Sequence, residues 1–278
     1  MYFKKLARSL RMGLRRLVCR SRTGGLESPD YACVGFPKCA TTFILKRFSE
    51  YSFNTLVDGE FKMKDYPDYR PEMRRIHEQG QRIAIKNPSI IYSSKSLGRL
   101  LKSDCRIIVS VRNPVRWIKS FYNYRLKRIG GGHESLPEAF KTIPDFSEIV
   151  EGGINFMGVA LEKGLMAKTI KENLLHSGYF DPDRVLFVIQ EEFESNHHKV
   201  LGELLDFLQV PEADRKEQEY TFEYNKPERW QLYNGAEHDE WLYRYYADDM
   251  RELCGIIQDY TGKDLKKMWQ DFYKIDIG

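Results

Sequence analysis

Apolar and polar positions alternate between two periods along most of the chain. From Tyr31 onward, short apolar runs recur between amphipathic stretches: Tyr31–Val34, Ile83–Ile85, Arg106–Val111 (RIIVSV) and Val185–Ile189 (VLFVI). Continuous runs of this kind belong to strands buried on both faces of a parallel sheet. Helical spacing predicts helices from Thr41 to about Tyr51, from the N-cap Ser93 to about Leu101 and from Pro114 toward Lys127. It predicts two more, from about Met157 to His176 and over 194–208. Ser93 suits an N-cap, Pro114 the first helical turn, and Gly178 the end of the fourth helix. Residues 52–80, with Pro67 and Pro71, predict a mixed, turn-rich segment. The C-terminal third reads as helical and aromatic. Strands that alternate with helices imply an α/β chain, a three-layer sandwich around a central parallel sheet.

The first 26 residues follow another pattern. Phe3, Leu6, Leu10, Leu14 and Leu17 recur at three- and four-residue spacing among eight basic residues and no acidic one. That predicts a basic amphipathic helix: a transit peptide, a membrane-surface helix using residues 1–20, or a solubilising extension. Ser21–Gly25 reads as a linker, and residues 27–278 as one domain. No run approaches the ~18 apolar residues of a membrane span. With no transmembrane anchor seen, the expected location is cytoplasmic, or an organelle reached through the basic N-terminus.

Charge sharpens this division. The chain carries net +4, but residues 27–278 hold 36 basic against 40 acidic residues, a net −4. The body lacks the basic surplus of a nucleic-acid binder, so no nucleic acid is expected as partner. The five cysteines form neither a CxxC pair nor a zinc pattern, and Cys33 and Cys105 sit inside apolar runs as small core residues.

Two segments carry chemistry. Gly35-Phe36-Pro37-Lys38-Cys39-Ala40-Thr41-Thr42 joins a strand to a helix, where backbone N–H groups and the positive helix end suit a phosphate. Lys38 can reach a phosphate oxygen, and Thr41 and Thr42 add hydroxyls. The loop is not a Walker A sequence, since Lys38 precedes Thr41 by three positions. The second segment runs from Val111 to Tyr122. Arg112 closes a strand, and Arg116 and Ser120 share a helix face at i, i+4, so an arginine fork and a hydroxyl can anchor a terminal phosphate.

Lys38–Thr42 resembles the 5′-phosphosulfate loop (PK-S/G-GTT) of sulfotransferases that use 3′-phosphoadenosine-5′-phosphosulfate (PAPS). Arg112–Tyr122 resembles their 3′-phosphate motif, RxPxxRxxSxY. Ile85–Tyr92 (IKNPSIIY) is similar to the KxPxY segment of the glycan-modifying, heparan sulfate-like branch. Val185–Glu192 followed by Leu204–Leu208 resembles the family's strand and "FLG" helix. The likeness covers roughly residues 31–210. It implies a P-loop-like phosphosulfate turn, no metal, and adenosine 3′,5′-bisphosphate as product.

Carried onto this chain, the resemblance gives Lys38 the leaving-group charge and gives Cys39, Ala40, Thr41 and Thr42 the 5′ side of the donor. Arg112 and Ser120 take the 3′-phosphate. Glu60 stands where that branch has a base for the acceptor hydroxyl, and Lys86 where it has a reaction-centre lysine. Lys226, in Asn225-Lys226-Pro227, falls where the family has a donor-covering loop. Ala40 replaces the usual Gly, and Gly59 stands where a Lys often precedes the Glu. The implied acceptor is a hydroxyl, less readily an amine, of a small molecule or short glycan. His133 and His197-His198 read as surface histidines. Two other classes stay open at this point, a P-loop-type nucleotide kinase and a non-catalytic membrane-surface adaptor.

Overall fold

The computed structural model describes residues 27–50, 53–55, 66–129, 146–152, 160–212, 215 and 238–273. Five strands form one sheet: β1 (Tyr31–Gly35), β2 (Phe53–Thr55), β3 (Arg82–Lys86), β4 (Arg106–Val111) and β5 (Val185–Ile189). All pairings are parallel, in the order β2-β3-β1-β4-β5. The helices are α1 (Thr41–Glu50), α2 (Tyr66–Glu78), α3 (Ser94–Lys102), α4 (Pro114–Ile129) and α5 (Phe146–Gly152). They continue with α6 (Met166–Asn173), α7 (Gln190–Ser195), α8 (His197–Phe207), α9 (Asp239–Thr261) and α10 (Leu265–Tyr273).

The unbroken apolar runs are explained by cover on both faces. On one face Val34, Ile85, Ile107, Val109 and Phe187 pack against Leu97 of α3, Trp117 and Ile118 of α4, Ile170 of α6, Leu253 of α9 and Trp269 of α10. On the other, Cys33, Ala84, Ile108 and Val188 meet Ile44 of α1, Phe193 of α7 and Val200, Leu201, Leu204 and Leu205 of α8. This is the expected three-layer α/β arrangement. Each fully buried aliphatic side chain adds about 1.5–3 kcal/mol by leaving water, so the two cores outweigh weak local propensities. Cys33 and Cys105 are fully buried, as expected.

The expected strands all form, and Ser93 caps α3 by accepting a bond from Ser96 N (3.2 Å). Three expectations need correction. The segment 52–80 is not simply turn-rich: it contributes β2 and α2. Pro67 occupies the first turn, where no N–H bond is needed, and Pro71 forfeits one backbone bond. Met73 and Ile76 bury, and Arg70 and Arg74 pair with Glu27, which offsets that loss. Within the span expected as one helix from Met157, residues 160–176 hold a 3₁₀ turn (Leu161–Gly164), α6 and another 3₁₀ turn. Tyr246 of α9 causes the first break: its hydroxyl donates to Leu161 O (2.9 Å), and a Cβ on Gly164 would lie 2.5 Å from it. Finally, 194–208 divides at Asn196, where the backbone leaves helical angles (φ −146°) between α7 and α8.

Candidate donor-binding site

Parallel strands send their carboxyl ends to one side, which gathers Gly35, Lys86, Val111 and Ile189. From β1 the chain turns toward β2 through α1 on one face. From β4 it turns the other way, toward β5, starting with α4 on the opposite face. The crevice between the ends of β1 and β4 is therefore the switch point of the sheet, where open α/β folds bind ligands.

The loop after β1 forms one wall. Gly35 has φ 121°, and a Cβ there would sit 2.6 Å from the N and O of Ser110 on β4, so only glycine fits. Phe36 N donates to Ser110 O (3.2 Å). Trp117 Nε1 donates to Pro37 O (2.6 Å), tying α4 to the loop. Lys38 (φ 68°) and Ala40 (φ 60°) are both left-handed, a conformation that costs an L-residue roughly 1–2 kcal/mol. Strain of this kind collects at ligand clamps.

Phe36 and Cys39 bury on the α4 side of the sheet, while Ile44, a few residues on, buries on the α1 side. Burial pushes the Cys39 thiol well above its ordinary range, so this cysteine acts as a packed apolar group. Its N–H is already spent on Phe36 O (3.2 Å). Ala40 O starts α1 by accepting from Phe43 N (2.9 Å) and Ile44 N (3.1 Å). The N–H groups of Thr41 and Thr42 lie in the first turn, which no intrahelical carbonyl serves.

Lysines cross the crevice. Lys38 Nζ lies 4.8 Å from the centroid of the Tyr124 ring on α4. Lys86 Nζ, at the end of β3, donates to Thr42 Oγ1 (3.1 Å). Arg116, Ser120 and Tyr124 follow one another at four-residue spacing on α4, so Lys38 reaches toward the face that bears Ser120.

Arg112 stands directly beyond β4. Its guanidinium has Tyr273, Glu191, Cys39 and Glu194 as neighbours. Its Nε is buried with no hydrogen-bond partner among the described residues. Glu191 opens α7 after β5; its Oε1 accepts from Asn113 N (2.9 Å) and from the Tyr273 hydroxyl (2.6 Å). Burial raises the Glu191 pKa, against the pull of Tyr273 and Arg112. Asn113 Oδ1 in turn caps α4, accepting from Val115 N (3.0 Å) and Arg116 N (3.3 Å). A buried donor without a partner, a glycine-only turn and first-turn N–H groups that no intrahelical carbonyl serves fit a multiply charged phosphate ligand.

A model of the sulfotransferase domain matches residues 28–245. The chain belongs to the sulfotransferase family. It is an enzyme of sulfuryl transfer, and its fold agrees. The crystal structure of a sulfotransferase from Alicyclobacillus acidocaldarius is similar at 16% identity and TM-score 0.55, covering 86% of this chain and 98% of that one. A mouse sulfotransferase, SULT7A1, complexed with PAP, gives 20% identity and TM-score 0.42, covering 66% of this chain and 60% of that one. No curated protein matches the sequence.

Lys38, Lys86, Thr41, Thr42, Arg112 and Ser120 thus lie on the loop, strand ends and helix that border one crevice. Glu60, Lys226 and His133 fall outside the described residues, as does the basic stretch 1–26. The second arginine of RxPxxRxxSxY falls on Trp117 in this sulfotransferase, with Arg116 one position early. Trp117 spends its N–H on the loop instead. Sequence reasoning passed over Trp117, Tyr124, Glu191 and Tyr273. Tyr124 was within reach, four positions after Ser120 on the same face; Tyr273, far off in sequence, gave no signal.

Proposed function

We propose that this sulfotransferase takes the sulfuryl group from PAPS and passes it to a hydroxyl of a small molecule or short glycan, releasing adenosine 3′,5′-bisphosphate. The observation that carries this reading is the meeting of the two phosphate-type motifs at the switch point, where Trp117 Nε1 of the second donates to Pro37 O of the first (2.6 Å). PAPS supplies an activated sulfuryl group on a phosphate leaving group.

The chain's own residues supply alignment and charge. The N–H and hydroxyl groups of Thr41 and Thr42 hold the 5′-phosphate, and Arg112 with Ser120 holds the 3′-phosphate. The acceptor oxygen bonds to sulfur as the bridging S–O bond breaks. The bond's electron pair leaves on the phosphate oxygen, where Lys38 stabilises it, and the hydroxyl proton passes to Glu60. Lys86, held at Thr42, adds positive charge beside the transferring group. Lys226 adds a contact to the donor. Residues 1–20 make a peripheral membrane contact or direct the enzyme to its compartment.

Thermal shift tests the donor first. Adenosine 3′,5′-bisphosphate should stabilise the protein without metal; stabilisation by ATP–Mg²⁺ and not by the bisphosphate would overturn the choice of donor. Turnover then separates the roles. Glu60→Gln should lower turnover by roughly two or more orders of magnitude with donor affinity, read by calorimetry, nearly intact. Lys38→Ala should lower turnover strongly and affinity modestly. Normal turnover in either variant removes that residue from the mechanism.

A further inference from the structure

The Arg112 anchor is braced from a distant part of the chain. Tyr273, the last residue of α10, meets Glu191, Arg112 and Arg116. Its hydroxyl donates to Glu191 Oε1 (2.6 Å), the oxygen that also grips Asn113 N beside Arg112. The Arg112 guanidinium lies against the same hydroxyl, close enough to oppose the upward push of burial on it. The Tyr273 ring carries the Arg116 guanidinium on its face, 4.9 Å from the centroid. Tyr243 of α9 also neighbours Arg116, whose charge opposes the rise that burial imposes on the tyrosine's pKa. Trp269, one turn earlier on α10, is fully buried in the core, so the tyrosine sits on a fixed support.

Five polar atoms inside this cluster have no hydrogen-bond partner among the described residues: Arg112 Nε, Asn113 Nδ2, Arg116 Nε, Glu191 Oε2 and the Tyr243 hydroxyl. Burying an unpartnered donor is costly, and an anion accepting from Arg112 removes that cost. An arginine used this way is worth most when its plane is fixed before the ligand arrives, because ordering it is then not charged to binding.

We propose that Tyr273, acting with Glu191, is a positioning residue that locks Arg112 and the start of α4 in the geometry that grips the donor's 3′-phosphate. The inference rests on the reading of Arg112 as the 3′-phosphate anchor. It assigns α10 to the donor site and gives Tyr273 no contact with the reacting atoms. Its signature is selective: the preference for a 3′-phosphorylated nucleotide should fall while the rest of the donor site is untouched.

The test compares adenosine 3′,5′-bisphosphate with adenosine 5′-monophosphate by calorimetry in wild type, Arg112→Ala and Tyr273→Phe. Phe keeps the ring under Arg116 and removes only the hydroxyl. Tyr273→Phe should weaken the bisphosphate roughly tenfold, about 1.4 kcal/mol, and leave the monophosphate unchanged. Unaltered preference, or equal weakening of both ligands, overturns the positioning role. If Arg112→Ala itself leaves the preference intact, the 3′-phosphate reading has failed; if it abolishes the preference while Tyr273→Phe does not, only the present inference has. A second measurement needs no variant. Hydrogen exchange across 265–273 in the full wild-type chain should slow with the bisphosphate and not with the monophosphate, and identical protection by both overturns the proposal.

Discussion

At the scale of single residues, the donor loop is built from conformations its side chains disfavour. Ala40 stands at φ 60° where the family pattern has glycine, and Lys38 at φ 68°. Trp117, Ser110 and the start of α1 hold the loop in place around them. Ala40→Gly removes a Cβ from a left-handed position, a gain of roughly 1–2 kcal/mol, and loosens the unfolded chain, a loss of about 0.4–1 kcal/mol. Net stability should rise by up to about 1.6 kcal/mol, read as a higher denaturant midpoint. A lower midpoint would show that the methyl group packs usefully against the α1 side. Under the proposed mechanism Lys38 admits no glycine, because its side chain is the one assigned to the leaving group.

Among the elements, α7, α8 and the turn after α9 are tied by ions. Glu192 accepts from Lys199 (2.8 Å) and Lys263 (2.7 Å), and Lys263 also reaches Glu203 (2.6 Å). Burial alone would raise the Glu192 pKa, but the two lysines outweigh it and the net direction is down. A carboxylate with a depressed folded pKa stabilises the protein above its ordinary range and loses that contribution as pH falls through the folded value. Glu192→Gln should therefore cost about 1 kcal/mol near neutral pH, a figure kept low because Lys199 is largely solvated. The gap to wild type should close as pH drops below about 4.3. A gap that is constant across an acid titration of the melting temperature would mean that packing, not charge, is lost.

The same scale shows what sequence made legible. Strands β1, β3, β4 and β5 stood out because burial on both faces forces continuous apolar runs. The two phosphate-type segments stood out because their chemistry is local, a loop and the helix turn after a strand. β2 and α2 were hidden by Pro67 and Pro71, whose cost is offset by contacts to Glu27 and the core that no local pattern encodes. The break at Gly164 was equally hidden, since Tyr246 imposes it from α9. Tyr273 and Glu191 lie on separate elements that only the fold brings to Arg112.

For the whole molecule, charge is divided between a basic first stretch and a slightly acidic remainder. No helix among the described residues is long and apolar enough to cross a membrane. Deleting residues 1–26 should leave solution turnover within about twofold, an allowance of well under 1 kcal/mol in barrier height. Co-sedimentation with anionic vesicles, or organelle import, should disappear. A truncated enzyme that folds but does not turn over would place those residues in the active domain.

The path of the β1 loop has a wider consequence. It buries Phe36 and Cys39 on one side of the sheet and Ile44 on the other, so it works as a suture between two interiors that the sheet otherwise keeps apart. A methyl group lost at Ile44, or a reshaped ring at Phe36, pulls on the same stitch that carries Lys38. Evolution can therefore reshape the loop from deep inside either layer, by repacking that leaves every residue lining the crevice unchanged.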